Sequence, residues 1–326
     1  MTRTLAAGLL ILVVTLISPM AVAEKPKVMA SLHPLALLTA EIAGNEVTIN
    51  TLVPAGGSPH TYSMRPSERR QLQQADLFVW IGPDMEVFLE RVMEQPDLSE
   101  KSLQLQGAGS GSGSSGHAHS HSHKHRHNND HGHHHDHSHS EKTEQQPPVL
   151  SPQGPASDDP HLWLDPALAL PMAERIAEAL SAIEGINGEA IAANLAAFED
   201  ALEQTLDAIR EQLAPHREMA IFTYHDAFRR YGDYFALNIA GHLTINPERS
   251  PGARRVAQLR DRLQQEEAPC IMVEPQFNRD WWQGISGGMT LGISVWDPLG
   301  SEIAVEQGGY LAFLQNLADQ VSACRD

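Results

Sequence analysis

Asp159-Pro160-His161-Leu162-Trp163-Leu164-Asp165-Pro166 is an apolar octet that carries one histidine and two prolines. Each proline fixes its own φ and restricts the residue before it, so His161 sits on a backbone with few alternatives. A metal ligand is held in this way, and so is a packed histidine beside Trp163; the octet alone leaves both open. Its surroundings differ sharply on the two sides. Upstream, residues 107–158 are a Gly/Ser tract, then a histidine-rich run, then a polar, Pro-rich tail, and such a composition cannot bury a core. Downstream, Ala167 to Ile183 reads as one helix. Gly188 to Ala214 reads as a longer one, with Ile191, Leu195, Phe198, Leu202, Leu206, Ile209 and Leu213 at 3–4 spacing. About 27 helical residues span about 40 Å, which predicts a strut tying two halves together.

Strand and helix alternate on both sides of that strut. In the first half, strands are predicted at Lys27–Leu32, Val47–Val53, Leu77–Ile81 and Leu103–Leu105. Helices are predicted at Leu35–Ala43, at Ser67–Ala75 with Ser67 as cap, and at Met85–Met93. In the second half, strands are predicted at Met219–Thr223, Tyr234–Ile239, Cys270–Val273 and Ile293–Trp296. Helices are expected to start near Phe228, to run from Ser250-Pro251 to about Gln265, and to span Asp280–Ile285 and Gly309–Ser322. The pattern predicts an α/β fold: two lobes with mainly parallel sheets flanked by helices, joined by a long backbone helix, with ligands bound beyond the carboxyl ends of the strands. The expected units are 24–187, containing the low-complexity insert, the linking helix 188–214, and 215–326.

With 326 residues, 41% of them hydrophobic, two domains are expected. Met1-Thr2-Arg3-Thr4, the apolar run Leu5–Ile17 and the small residues Ala21-Val22-Ala23 read as a cleaved secretory signal peptide over 1–23. The apolar run is shorter than the roughly 20 residues of a spanning helix. Twenty-three basic residues against 41 acidic give a formal net charge of −18. A basic surface for nucleic-acid phosphates is therefore not expected. The two cysteines, Cys270 and Cys324, are expected to pair in an exported chain, because an oxidising compartment favours pairing of an even count.

Twelve of the 18 histidines lie in the insert: His117, His119, His121, His123, His125, His127, His131, His133, His134, His135, His137 and His139. A flexible chain can bring any three or four of these imidazoles onto Zn²⁺ in interchangeable arrangements, so binding there should be plural and weak. The tract also reads as a solvated linker without a metal role. Of the other six, His60 follows a strand in the first half, His161 lies in the octet, and His225 follows a strand in the second half. If both sheets aim their carboxyl ends at one cleft, these three converge there, and three neutral imidazoles at about 2.0–2.1 Å suit Zn²⁺ with a fourth position left open. Asp297, at another strand end, is the candidate fourth ligand, or else a cap on the turn before Pro298. His33 is read as ligand or structural residue alike, His216 as solvated, and His242 as a backbone-bonding residue in a Gly-flanked turn.

Ser58-Pro59-His60-Thr61-Tyr62-Ser63-Met64-Arg65-Pro66-Ser67, His161 to Pro166, Tyr224-His225-Asp226-Ala227-Phe228, Glu274-Pro275-Gln276-Phe277 and Leu291 to Gly300 resemble the periplasmic zinc-binding proteins of bacterial ABC importers. These are the ZnuA type of the metal-binding solute-binding proteins. The resemblance covers nearly all of the chain after residue 23, and a His-rich insert between the first two ligand motifs is itself a feature of zinc members. It implies two α/β lobes, one interlobe metal site made by His60, His161 and His225, transported Zn²⁺ as the ligand, an ABC membrane permease as the partner, and a monomer in the periplasm. Zinc members also carry a disulfide like the Cys270–Cys324 pair, and a histidine at the third position favours zinc over manganese. Pro59 stands where some relatives carry Glu, so the fourth ligand stays open. Two other classes compete. A zinc hydrolase would need a positioned base, and no His-Glu-x-x-His helix is present; Glu274 reads as structural beside Pro275. A zinc buffer or chaperone would rely on the tract alone. Because ligating imidazoles must be neutral, histidine ligation predicts an affinity that falls as pH drops through about 6.5.

Overall fold

The computed structural model describes residues 24–107, 159–244, 247, 251–277, 280–289 and 291–324. The segment read as a signal peptide and the tract His117–His139 lie outside the described residues. The first sheet contains β1 (Lys27–Ala30), β2 (Thr48–Thr51), β3 (Leu77–Trp80) and β4 (Ser102–Gln104) in the order β2-β1-β3-β4. The second contains β5 (Ile221–His225), β6 (Ile239–Thr244), β7 (Cys270–Val273) and β8 (Gly292–Val295) in the order β6-β5-β7-β8. Every pairing in both is parallel. In each sheet the first strand lies between the second and third, so the order reverses there; a crevice opens at such a reversal beyond the strand carboxyl ends.

The helices of the first half are α1 (His33–Ala43), α2 (Pro66–Gln74), α3 (Glu90–Met93), α4 (Pro96–Ser99) and α5 (Pro166–Ser181). Then follow α6 (Gly188–Leu213), α7 (Arg229–Phe235), α8 (Ala253–Leu263), α9 (Asp280–Ser286) and α10 (Gly309–Ala323). The 26-residue α6 starts at Asn187, whose side chain accepts from the N–H groups of Glu189 and Ala190. Its buried face is Ile191, Phe198, Leu202, Leu206, Ile209 and Leu213, as the spacing predicts. That face packs on α1 and α5 of the first half and on α10 of the second, so the helix does tie the halves together. A single apolar cluster runs from Val28 and Leu37 through Phe198 and Leu213 to Ile221, Met272 and Phe313. Polar clamps reinforce this joint. The buried Glu41 carboxylate on α1 accepts from the N–H groups of Gly308 and Tyr310 at 2.7 and 2.9 Å, where α10 begins. Cys270, which opens β7, is disulfide-bonded to Cys324, which caps α10.

Several local expectations change. Tyr234 and Phe235 end helix α7 instead of starting a strand; Ala236 closes it in a left-handed conformation with φ 55°. The strand begins only at Ile239, because Phe235 packs on Tyr231 in the core, with Tyr234 edge-on to Phe235, while β6 takes the residues that pair with β5. His242 therefore lies inside β6, buried, and not in a turn. Arg65, not Ser67, precedes α2: Pro66 takes the first helical position and the Glu68 carboxylate accepts from Arg65 N–H at 2.6 Å. Met85–Met93 is a 3₁₀ turn at Val87–Leu89 running into the single turn of α3, not one helix.

Candidate metal centre

The loop after β2 is folded by its own glycines and prolines. Gly56 sits at φ 77°, Gly57 N–H donates to the Pro54 carbonyl, and Thr61 N–H returns to that of Ser58. Tyr62 anchors the loop through its hydroxyl to the Leu52 carbonyl and its ring edge on Phe88. His60 is thereby held out toward the second sheet. His161 precedes the 3₁₀ turn Leu162–Leu164, and His225 is the last residue of β5.

The structure brings the three together. Their ring centroids lie 5.5 Å (His60–His161), 5.7 Å (His60–His225) and 5.3 Å (His161–His225) apart. One nitrogen of each falls within 4.8 Å of the others, and among the described residues this is the one such group of metal-ligating side chains. Two of the rings are aimed by carboxylates. Asp159 Oδ1 lies 2.7 Å from His161 Nδ1 and also accepts from His161 N–H at 3.0 Å. Glu274 Oε1 lies 2.7 Å from His225 Nδ1 and accepts from its N–H at 3.2 Å. A carboxylate on Nδ1 keeps the proton there and leaves the Nε2 lone pair free for a cation, the usual support of a metal-bound imidazole. His161 Nε2 is buried without a hydrogen-bond partner, as a ligand atom awaiting a cation should be.

Apolar walls complete the site. Phe277 stacks on Tyr224 and meets His225 edge-on, while Trp163 does the same to His161. The space between His60, His161, His225, Trp163, Phe277 and Leu299, about 20 Å³, holds one water-sized sphere. Burial, with the neighbouring His161 and His225 rings, pushes His60 down to about 3, against a weaker upward pull from Asp159. Burial pushes Asp159 up, but its hydrogen bonds from His161 and the nearby Arg230 outweigh that and leave its carboxyl below the ordinary range.

Asp297 is placed differently. It follows β8, and its oxygens accept from Gln276 Nε2 (2.7 Å), Leu299 N–H (3.0 Å) and Ser301 N–H (2.7 Å). It is not one of the grouped ligand atoms, and its hydrogen bonds are those of a turn cap. His33 Nε2 lies 2.9 Å from the Ile303 carbonyl, a contact between the halves. His242 Nδ1 faces Asp226 at 3.9 Å. The residues that sequence reasoning missed are the aiming carboxylates. Asp159 carried a signal, an Asp two positions before a histidine with a proline between. Glu274 needed the strand order, which sets the end of β7 beside the end of β5.

The chain was compared with known proteins. The profile of the family described as "ZnuA: Zinc-uptake complex component A periplasmic" matches residues 28–324. A high-affinity zinc uptake system protein ZnuA of Yersinia pestis is 32% identical over 297 residues, 91% of this chain and 90% of that protein. Its counterpart in Haemophilus influenzae is 34% identical over 310 residues, 91% and 92% of the two. Among solved structures, a crystal structure of ZnuA superposes with a TM-score of 0.66 at 21% identity, covering 92% of this chain and 100% of that one. The periplasmic zinc binding protein TroA from Treponema pallidum gives 0.68 at 18% identity, covering 92% and 99%. Two parallel sheets braced by one long helix, three imidazoles between them and a match along almost the whole described length make this chain a member of the ZnuA family.

Proposed function

We propose that this protein is a periplasmic solute-binding protein that captures one Zn²⁺ between its lobes with His60, His161 and His225 and hands it to an ABC permease. The observation that carries the reading is the trio itself: three imidazole nitrogens within 4.8 Å of one another, two already turned by carboxylates. A borderline-soft cation with no preferred d-electron geometry suits three neutral nitrogens. Burial holds His60 down to about 3, so this ring is neutral and adds nothing to a loss of affinity near pH 6.5. Asp297, tied to Gln276, Leu299 and Ser301, or a water supplies the fourth position. The gap among the three rings, about 20 Å³, is sized for a single ion. Each of the two nearby carboxylates, Asp159 and Glu274, spends one oxygen on an imidazole.

The remaining parts follow the same reading. Residues 1–23 direct export and are removed, the protein acts as a monomer, lobes 24–187 and 215–326 present the surfaces that dock on the permease, and the twelve-histidine tract gathers zinc or senses its excess. No helix among the described residues is long and apolar enough to cross a membrane. The test is chelator-competition titration with Zn²⁺ and Mn²⁺ of the intact protein, of protein lacking 107–157, and of His60→Ala. One tight zinc site that survives the deletion and disappears in His60→Ala is expected. Tight binding lost with the deletion and kept in His60→Ala would move the function to the tract and make the protein a zinc buffer.

A further inference from the structure

We propose that Arg230 is a positioning residue for metal capture, the group that fixes where His161 stands relative to His225; the inference rests on the capture reading above. Arg230 belongs to the first turn of α7, five residues beyond His225, so one short segment of the second half carries a site histidine and this guanidinium. It is 8% exposed and reaches across to the octet of the first half. Its Nε and one terminal nitrogen both donate to the Asp159 carbonyl, at 3.0 and 2.6 Å. The other terminal nitrogen donates to Asp165 Oδ2 at 3.0 Å. One rigid plane thus grips both ends of the segment that has His161 inside it.

The grip passes directly to the ligand. The Asp159 carbonyl is held by Arg230 while the same residue's Oδ1 holds His161 N–H and Nδ1. Asp165 Oδ1, meanwhile, caps α5 through Ala167 N–H at 3.1 Å, so the far end of the octet is tied to a helix. The middle has separate anchors: Trp163 Nε1 donates to the Pro298 carbonyl at 2.7 Å, and Tyr310 hydroxyl donates to that of Trp163 at 2.9 Å. Loss of Arg230 therefore leaves the octet docked but frees its Asp159 end, and with it the direction of the His161 ring. Lysine is no equivalent, because an ammonium on a flexible stem lacks the planar fork that reaches both acceptors at once.

The test compares Arg230→Lys, Arg230→Gln and Asp165→Asn with the wild type. Asp165→Asn removes one arm of the grip yet keeps a side chain that caps a helix. Zn²⁺ affinity is read by chelator competition, and Co²⁺ is used as a probe whose visible absorption reports coordination geometry. Both Arg230 variants are expected to lose roughly 10–100-fold in affinity, the range for groups that orient a ligand, and to show an altered Co²⁺ spectrum; Asp165→Asn should show a smaller loss. Arg175→Gln is the control for mere destabilisation, since among the described residues Arg175 donates to the Leu105 carbonyl and to no group of the octet or the histidine trio; it should lower thermal stability and leave both readouts unchanged. If Arg230→Lys and Asp165→Asn keep wild-type affinity and spectrum, Arg230 is only structural and the inference fails, whether or not Arg230→Gln folds. Wild-type protein with no tight zinc site would instead overturn the capture reading, and this inference with it.

Discussion

Two buried groups that touch no ion give the protein opposing pH responses. Glu86 is fully buried and accepts from Ser31 Oγ, Ile81 N–H and Gly82 N–H. Burial pushes it from 4.5 up to about 7, with the hydrogen bonds only partly opposing. A raised carboxyl stabilises the fold fully below pH 4.5 and loses that contribution as pH rises through 7. His242 is the reverse case: burial, with Arg255 and Arg229 nearby, pushes it from 6.5 down to about 4 against the pull of Asp226. Its contribution is present above 6.5 and lost as pH falls through 4. Glu86→Gln should therefore gain on the wild type by on the order of 3 kcal/mol as pH rises from 4.5 to 7.5, measured by urea denaturation at each pH. A pH-independent difference would show that Glu86 is ionised in the fold. Neither group was legible in the sequence, because burial of a Glu on an irregular turn depends on which strands close over it. The three clustered histidines were legible because each lies at a strand end or after a proline, whereas the part Glu274 plays beside His225 became visible only with the strand order. Asp159 was printed beside His161, and only the turn at Pro160 shows that it folds back onto the ring.

At the scale of elements, periodicity predicted α6 to within a residue, since a long amphipathic face leaves a strong signal. It failed at Tyr234–Ile239, where two aromatics resemble a strand but serve as core for a short helix. The disulfide was legible from number and compartment alone. It joins β7 to the end of α10 across a separation of 54 residues, for which loop-closure entropy gives roughly 4 kcal/mol at most. Reduction, or the double variant Cys270→Ser/Cys324→Ser, should lower the unfolding free energy by about 2–4 kcal/mol while leaving zinc affinity within about twofold, as the bond lies at the amino end of β7 and the site at its carboxyl end. Affinity falling in step with stability would show that the bond shapes the site.

The whole molecule is described by its shared core more than by its two sheets. Because one apolar cluster includes Leu37 of α1, Phe198 of α6 and Phe313 of α10, neither half can open its interior without disturbing the other. Calorimetry of the metal-free protein should show one transition whose calorimetric and van't Hoff enthalpies agree; two resolved transitions would mean that the halves are independent. The sequence could suggest two units, since the alternation restarts after α6. That they share a core was not legible, because it depends on where the final helix docks. Its docking place also sets an order of events during synthesis. Helix α10 is synthesised after all the other described helices, yet it lies on α1 and takes Glu41 at its first turn. A chain emerging from its amino end must then carry α1, complete at Ala43, with one side bare until α10, beginning only at Gly309, has been made. The half made first is the half that waits, and its bare apolar face is what a holding chaperone would meet along the way.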